Sequence, residues 1–147
     1  MKHVLFLQLG SVPTSSLVHA SHLTHLHLHL NRLVHLADLT FSPVPHLVTL
    51  NLSQCDLRNI SARSFASLAA LKQLDLSWNK LRGVPSSQLK HLPLLTHLDL
   101  SGNAIPAVLP HAIRNLEHLR HLQLSRCPQL RQIQTAAFHN NLALQEV

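Results

Sequence analysis

The sequence predicts an α/β solenoid: short strands stacked in parallel on one side, loops and short helices returning on the other. Three observations predict it. The chain repeats itself in steps of 24 residues. Each repeat opens on an alternation of apolar and polar side chains. The 46% apolar content is almost wholly aliphatic, with 3% aromatic residues and no Tyr. At 147 residues the chain is one domain's worth.

Leu23, Leu47, Leu71, Leu95 and Leu119 set the rows, each 24 residues from the last. The rows read LTHLHLHLNRLVHLADLTFSPVPH, LVTLNLSQCDLRNISARSFASLAA, LKQLDLSWNKLRGVPSSQLKHLPL and LTHLDLSGNAIPAVLPHAIRNLEH. A fifth, LRHLQLSRCPQLRQIQTAAFHNNLA, is one residue longer. In the first four rows positions 1, 4, 6, 11, 14, 19 and 22 are always apolar. Position 9 is Asn31, Cys55, Asn79, Asn103 and Cys127. Over residues 23–143 the pattern L-x-x-L-x-L-x-x-N/C-x-L resembles the leucine-rich repeat family. Phe at position 19 and the lack of an L-x-G-x-I-P element resemble its typical 24-residue animal extracellular type, as in Toll-like receptor ectodomains. Arg82-Gly83-Val84-Pro85 has a plant-like look, but its Pro falls one position early. The resemblance implies a leucine-rich-repeat solenoid, a right-handed superhelix with a concave parallel β-sheet and convex loops and short helices.

Within each row, residues 3–7 alternate out and in, the period of a strand, with positions 4 and 6 turned to the core. Asn at position 9 turns the chain and can bond backbone amides of neighbouring rows, giving a structural ladder of Asn31, Cys55, Asn79, Asn103 and Cys127. Positions 11, 14, 19 and 22 return along the convex side and fill the core. There, SARSFASLAA is expected to form a turn or two of helix. Phe41, Phe65 and Phe138 share a column and are expected to wedge the core.

The opening stretch MKHVLFLQLGSVPTSSLVHA admits two readings. Lys2, the run from Val4 to Leu9, and the small Val18 and Ala20 look like a secretory signal peptide, although Gln8 breaks the run. In the repeat frame Val4, Leu9, Val12, Leu17 and Ala20 fall on apolar positions. LGSVPTSSLVHA also parallels LRGVPSSQLKHL three repeats later, with Leu7 standing where Asn is expected. Residues 1–22 are therefore read as the C-terminal part of a truncated repeat, with the signal peptide as the alternative. Residues 23–143 are five repeats, and 144–147 start a truncated sixth. No cysteine-rich cap flanks the rows, so core Leu would be exposed at both ends. The expectation is a piece of a longer array, joined to neighbouring repeats or caps.

The formal net charge is +6 and the isoelectric point about 10.4. Lys and Arg are scattered, which biases the chain toward acidic partners without making a nucleic-acid footprint. Fourteen His add positive charge as pH falls below about 6.5. No apolar run approaches the ~18 residues of a membrane span. Cys55 and Cys127 lie three rows apart, roughly 14 Å at strand spacing, too far for a disulfide that needs about 7 Å. They are expected to be inert, buried thiols. Asn51-Leu52-Ser53 and Asn59-Ile60-Ser61 are glycosylation acceptors if the chain is secreted. A glycan on Asn59 would sit on the convex return, whereas one on Asn51 would block the concave face.

Paired carboxylates, a nucleophile elbow, a phosphate-binding Gly loop and a C-x-x-C pair are all missing from the sequence, so no catalysis and no cofactor is expected. What remains is the outward face of the strands. Position 3 is His25, Thr49, Gln73, His97 and His121; position 5 is His27, Asn51, Asp75, Asp99 and Gln123. Position 7 is His29, Ser53, Ser77, Ser101 and Ser125; position 8 is Leu30, Gln54, Trp78, Gly102 and Arg126. Rungs that repeat while their outward residues vary make a specific binding face. Gln73, Asp75, Trp78, His97, Asp99, His121 and Gln123 are the candidate contacts for a protein ligand or co-receptor. His25, His27 and His29 spread over ~13 Å along one strand and cannot share an ion. His97, Asp99 and His121 form a tighter cluster, but solvated surface histidines are the ordinary case, and no metal site is assigned.

By resemblance the chain reads as a non-catalytic protein–protein recognition module of a secreted or cell-surface protein, in signalling, adhesion or innate immunity. An intracellular scaffold or adaptor built on the same repeat is the alternative. A histidine-rich metal-binding protein is a third reading.

Overall fold

The computed structural model describes residues 9–147, so the readings placed on Lys2, Val4 and Leu7 lie outside the described residues. In chain order the elements are α1 (Thr14–Leu17), β1 (His25–His27), β2 (His35–Leu36), β3 (Thr49–Asn51), β4 (Asn59–Ile60) and β5 (Gln73–Asp75). There follow α2 (Ser86–Leu89), β6 (His97–Asp99), β7 (Ala107–Val108), β8 (His121–Gln123) and β9 (Gln132–Ile133). The five first strands of the rows form one parallel sheet in the order β1-β3-β5-β6-β8. Its register pairs residues one repeat apart: His25 with Thr49, Thr49 with Gln73, Gln73 with His97, and His97 with His121. On the convex side β2 pairs β4 and β7 pairs β9, again in parallel. This is the leucine-rich-repeat solenoid that the 24-residue pattern predicts, a coil of about five turns.

The core is a column of Leu between the two sides. Leu26, Leu50, Leu74, Leu98 and Leu122 at position 4 are at most 2% exposed, and Leu28, Leu52, Leu76 and Leu100 at position 6 are fully buried. Phe41 and Phe65 are fully buried and stack with ring centres 6.1 Å apart. Phe138, expected to wedge in the same way, is only half-buried, because it has a neighbouring row on one side. Leu17 is buried, and Leu9 and Val12 pack half-buried against the first row. Two bonds tie them on: Leu9 N–H to Asn31 Oδ1 (2.7 Å) and Arg32 N–H to the Leu9 carbonyl (2.9 Å). Among the described residues no helix is long and apolar enough to cross a membrane.

Two expectations are corrected. SARSFASLAA is a series of turns, not helix. Ser64 donates its hydroxyl to the Ser61 and Leu36 carbonyls, and local bonds such as Ser64 N–H to Ser61 C=O close three-residue steps instead of a helical turn. The strands are shorter than positions 3–7, ending at position 5. In rows two to four the side-chain oxygen of Asn51, Asp75 or Asp99 takes the N–H two residues on, from Ser53, Ser77 or Ser101, at 2.8–2.9 Å. This local turn bends the chain out of the strand.

Candidate functional site

The concave face is built on a ladder that outlasts the strands. At position 6, Leu28, Leu52, Leu76 and Leu100 give their N–H to the position-5 carbonyl of the next row, at 2.8–2.9 Å. Position 8 does the same toward position 7. Leu30, Gln54, Trp78 and Gly102 donate to the carbonyls of Ser53, Ser77, Ser101 and Ser125 at 2.7–3.1 Å. Every position-8 residue has left-handed backbone: φ is 61° at Leu30, 54° at Gln54, 55° at Trp78, 70° at Gly102 and 54° at Arg126. Each non-glycine residue there costs roughly 1–2 kcal/mol in backbone sterics, which in the first four rows accompanies the inter-row bond.

The asparagine column clamps the same side from within. Asn79 Oδ1 accepts from the N–H of Cys55 and Leu57 at 2.9 Å each, and its Nδ2 donates to the Leu52 and Leu76 carbonyls. Asn103 repeats this one row on, from Leu81 N–H and to the Leu76 and Leu100 carbonyls. Asn31 bonds Leu9 and Leu28. Cys55 fills its rung as a buried free thiol 2.9 Å from the Leu28 carbonyl, and burial pushes its pKa up. Cys127 is also free but only half-buried, with Sγ 3.5 Å from the Leu100 carbonyl. The expectation of two equally buried thiols is corrected there: the fifth row has no complete row stacked beyond it to cover the thiol. A further amide was not legible in the column pattern. Asn141, on the convex side, accepts from Leu116 N–H and donates to the Ile113 carbonyl.

In rows two to four position 7 does not belong to the outward surface, whereas Ser125 in row five is exposed. Ser53, Ser77 and Ser101 are buried, held by the turn that their partners at position 5 make. Asp75 and Asp99 therefore have two roles, one structural oxygen and one facing out. The repeated Asn/Asp-x-Ser at positions 5–7 is the sequence signal for it.

Gln73, Asp75, His97, Asp99, His121 and Gln123 come together around one shallow depression of about 390 Å³, floored by Leu74 and Leu98. His97 and His121 stack face to face with ring centres 4.5 Å apart, and His121 Nδ1 lies 3.0 Å from Glu146 Oε2. Desolvation, then the neighbouring His121 and Arg120, hold the His97 pKa below its ordinary value. Among the described residues no group of three or more His, Cys, Asp or Glu is arranged to hold a metal ion. Trp78 stands apart from the depression. It is 50% exposed and lies across Gly102 of the next row. Of the two acceptor asparagines, Asn59 is exposed at the start of β4, while Asn51 spends its side-chain oxygen on Ser53.

A concave parallel sheet with variable outward positions on a repeated frame of Leu and Asn or Cys defines a repeat solenoid. The leucine-rich repeat family model matches residues 21–81 and 79–128, and the chain belongs to that family. Among solved structures it is similar to one described as the crystal structure of a TLR13–ssRNA13 complex. The TM-score is 0.85 at 26% identity, over 99% of this chain and 21% of that one. It is also similar to one described as the crystal structure of the mouse RP105/MD-1 complex. There the TM-score is 0.74 at 33% identity, over 82% of this chain and 21% of that one. The chain thus spans about a fifth of the length of each. A comparison with curated proteins finds no match.

Proposed function

We propose that the chain is a non-catalytic recognition module of a secreted or cell-surface leucine-rich-repeat protein, acting in innate immunity or related signalling, and that a protein ligand or co-receptor docks on its concave face. The observation that carries this is the depression in which four consecutive strands present Asn51, Gln73, Asp75, His97, Asp99, His121 and Gln123 on a fixed frame. The likeness to RP105 in complex with MD-1 supports a protein partner, and the likeness to TLR13 supports an extracellular or endosomal setting. The TLR13 structure contains RNA. Here the adjacent, register-paired Asp75 and Asp99 at the centre of the face would repel a phosphodiester backbone, which favours protein.

The test is a binding screen of the secreted chain against a panel of purified ectodomains and a single-stranded RNA oligonucleotide. Asp99→Asn, Gln73→Ala and Trp78→Ala should weaken capture of a protein ligand, while the convex Arg63→Ala should leave it intact. RNA as the only ligand held by the concave face, or loss confined to Arg63→Ala, would overturn the reading. Retained glycan on wild type but not on Asn59→Gln would support secretion.

A further inference from the structure

The convex ladder is interrupted on both sides of row three, where rows two and three share only the Lys80 N–H to Leu57 C=O bond. Rows one and two are joined by β2–β4, rows four and five by β7–β9 and by bonds such as His111 N–H to Ala136 C=O. Between residues 82–92 of row three and 104–116 of row four no backbone hydrogen bond forms. Row three returns through α2, whose N–H groups are spent locally, as in Gln88 and Leu89 to the Pro85 carbonyl. The Gln88 side-chain amide turns the other way, onto the Ile60 carbonyl at the edge of β4. A groove of about 700 Å³ opens between rows three and four.

One wall of the groove is the free edge of β7. In the β7–β9 pair the carbonyls of Pro106 and Val108 accept from Arg131 and Gln134. The N–H and C=O of Ala107 therefore point toward row three, where no backbone partner meets them. Val84 and the exposed Leu109 supply apolar surface beside that edge. Arg82, Lys90 and Arg114 line the groove, all exposed and with no ion-pair partner among the described residues, and no acidic side chain lines it.

We propose that this groove binds an extended acidic peptide segment of a partner protein, added in strand conformation to the edge of β7. A peptide offers both the acceptor and the donor that Ala107 lacks, apolar side chains for Val84 and Leu109, and carboxylates for the three cations. A sulfated glycan would satisfy the charge but leave the Ala107 carbonyl without a donor of matching geometry and the apolar wall bare. The surface lies on the opposite side of the solenoid from the concave depression, and its residues are different.

A labelled synthetic peptide of alternating Glu and Val is the probe, with a Lys/Val peptide and a heparin-type oligosaccharide as comparators. The Glu/Val peptide should bind and should slow hydrogen exchange at the Ala107 and Leu109 amides of the wild-type chain. Arg82→Gln with Arg114→Gln should weaken binding about tenfold or more, and backbone N-methylation of the peptide should weaken it on unaltered protein. Gln73→Ala should not move it. Absence of binding, equal binding of the Lys/Val peptide, binding with no slowing at Ala107, or preference for the oligosaccharide would each overturn the proposal.

Discussion

Trp78 and Gly102, one repeat apart, are fitted to each other: a Cβ built on Gly102 would lie 2.6 Å from Trp78 Cδ2 and 2.7 Å from Cε3. Position 8 is left-handed in every row, yet only this row uses glycine. Backbone freedom alone does not explain Gly102, since Leu30, Gln54, Trp78 and Arg126 adopt the same conformation. The indole ring explains it. Gly102→Ala should cost about 2 kcal/mol or more, combining left-handed strain with the clash. Trp78→Ala in that background should restore part of the loss. Urea denaturation of the two single variants and the double variant measures the coupling, and strict additivity would contradict the ring's role.

Leu76 is fully buried between rows on both sides, and Leu30 is 56% exposed. Leu76→Ala should destabilise by about 2–5 kcal/mol through lost burial and a residual cavity, and Leu30→Ala by under about 1 kcal/mol. Equal midpoint shifts in denaturant would mean that the strand phase is reversed.

Removing Asn79 strands the buried N–H groups of Cys55 and Leu57, because the Leu76 carbonyl keeps Asn103 as a donor but those two have no other acceptor. Asn79→Ala should cost about 3 kcal/mol, taking each orphaned group at 1–3 kcal/mol. Asn79→Cys should cost somewhat less, since a thiol there can still donate to the Leu52 carbonyl as Cys55 does to that of Leu28, although both N–H groups stay stranded. Thermal melts of the two variants rank them.

Asp99 separates charge from architecture. Its Oδ1 accepts from Ser101 N–H at 2.8 Å, and Asn51 does the same for Ser53 in row two. Asp99→Asn should therefore leave the melting temperature nearly unchanged, whereas Asp99→Ala should lower it by losing the turn bond, worth about 1 kcal/mol.

The folded state holds His97 below its ordinary pKa of 6.5, through desolvation first and then the charges of His121 and Arg120. As pH falls through 6.5 the unfolded chain binds that proton before the folded chain does, so stability drops with falling pH. His97→Gln should flatten part of the decline in melting temperature between about pH 7 and pH 5. An unchanged slope would show that other histidines carry it.

Most of the frame was legible because the 24-residue period repeats the same physical demand in every row: Leu at positions 4 and 6 fills a core that only stacking closes. Asp75 and Asp99 were legible as outward residues but not as turn-formers, because a carboxylate beside a strand carries no mark of which of its oxygens is already committed. The left-handed backbone at position 8 is not legible in the sequence for a related reason. Leu, Gln, Trp and Arg carry no preference for it, and the inter-row bond that accompanies it at Leu30, Gln54 and Trp78 exists only once the rows are stacked. The convex groove depends on which rows fail to pair there, a property of two neighbours together that neither sequence contains alone.

That unpaired seam also divides the coil mechanically. Rows three and four stay laced on the concave side by β5–β6 and by Asn103, while nothing in the backbone joins them on the convex side. The arrangement is that of a book bound at its spine, and its softest bending mode opens the pages there. Curvature can change at this joint without breaking a hydrogen bond of the backbone on the convex side. A ligand pressing on Gln73, His97 and their neighbours would thus meet a face whose radius adjusts across the β5–β6 boundary, while rows four and five stay joined on both sides by β6–β8 and β7–β9.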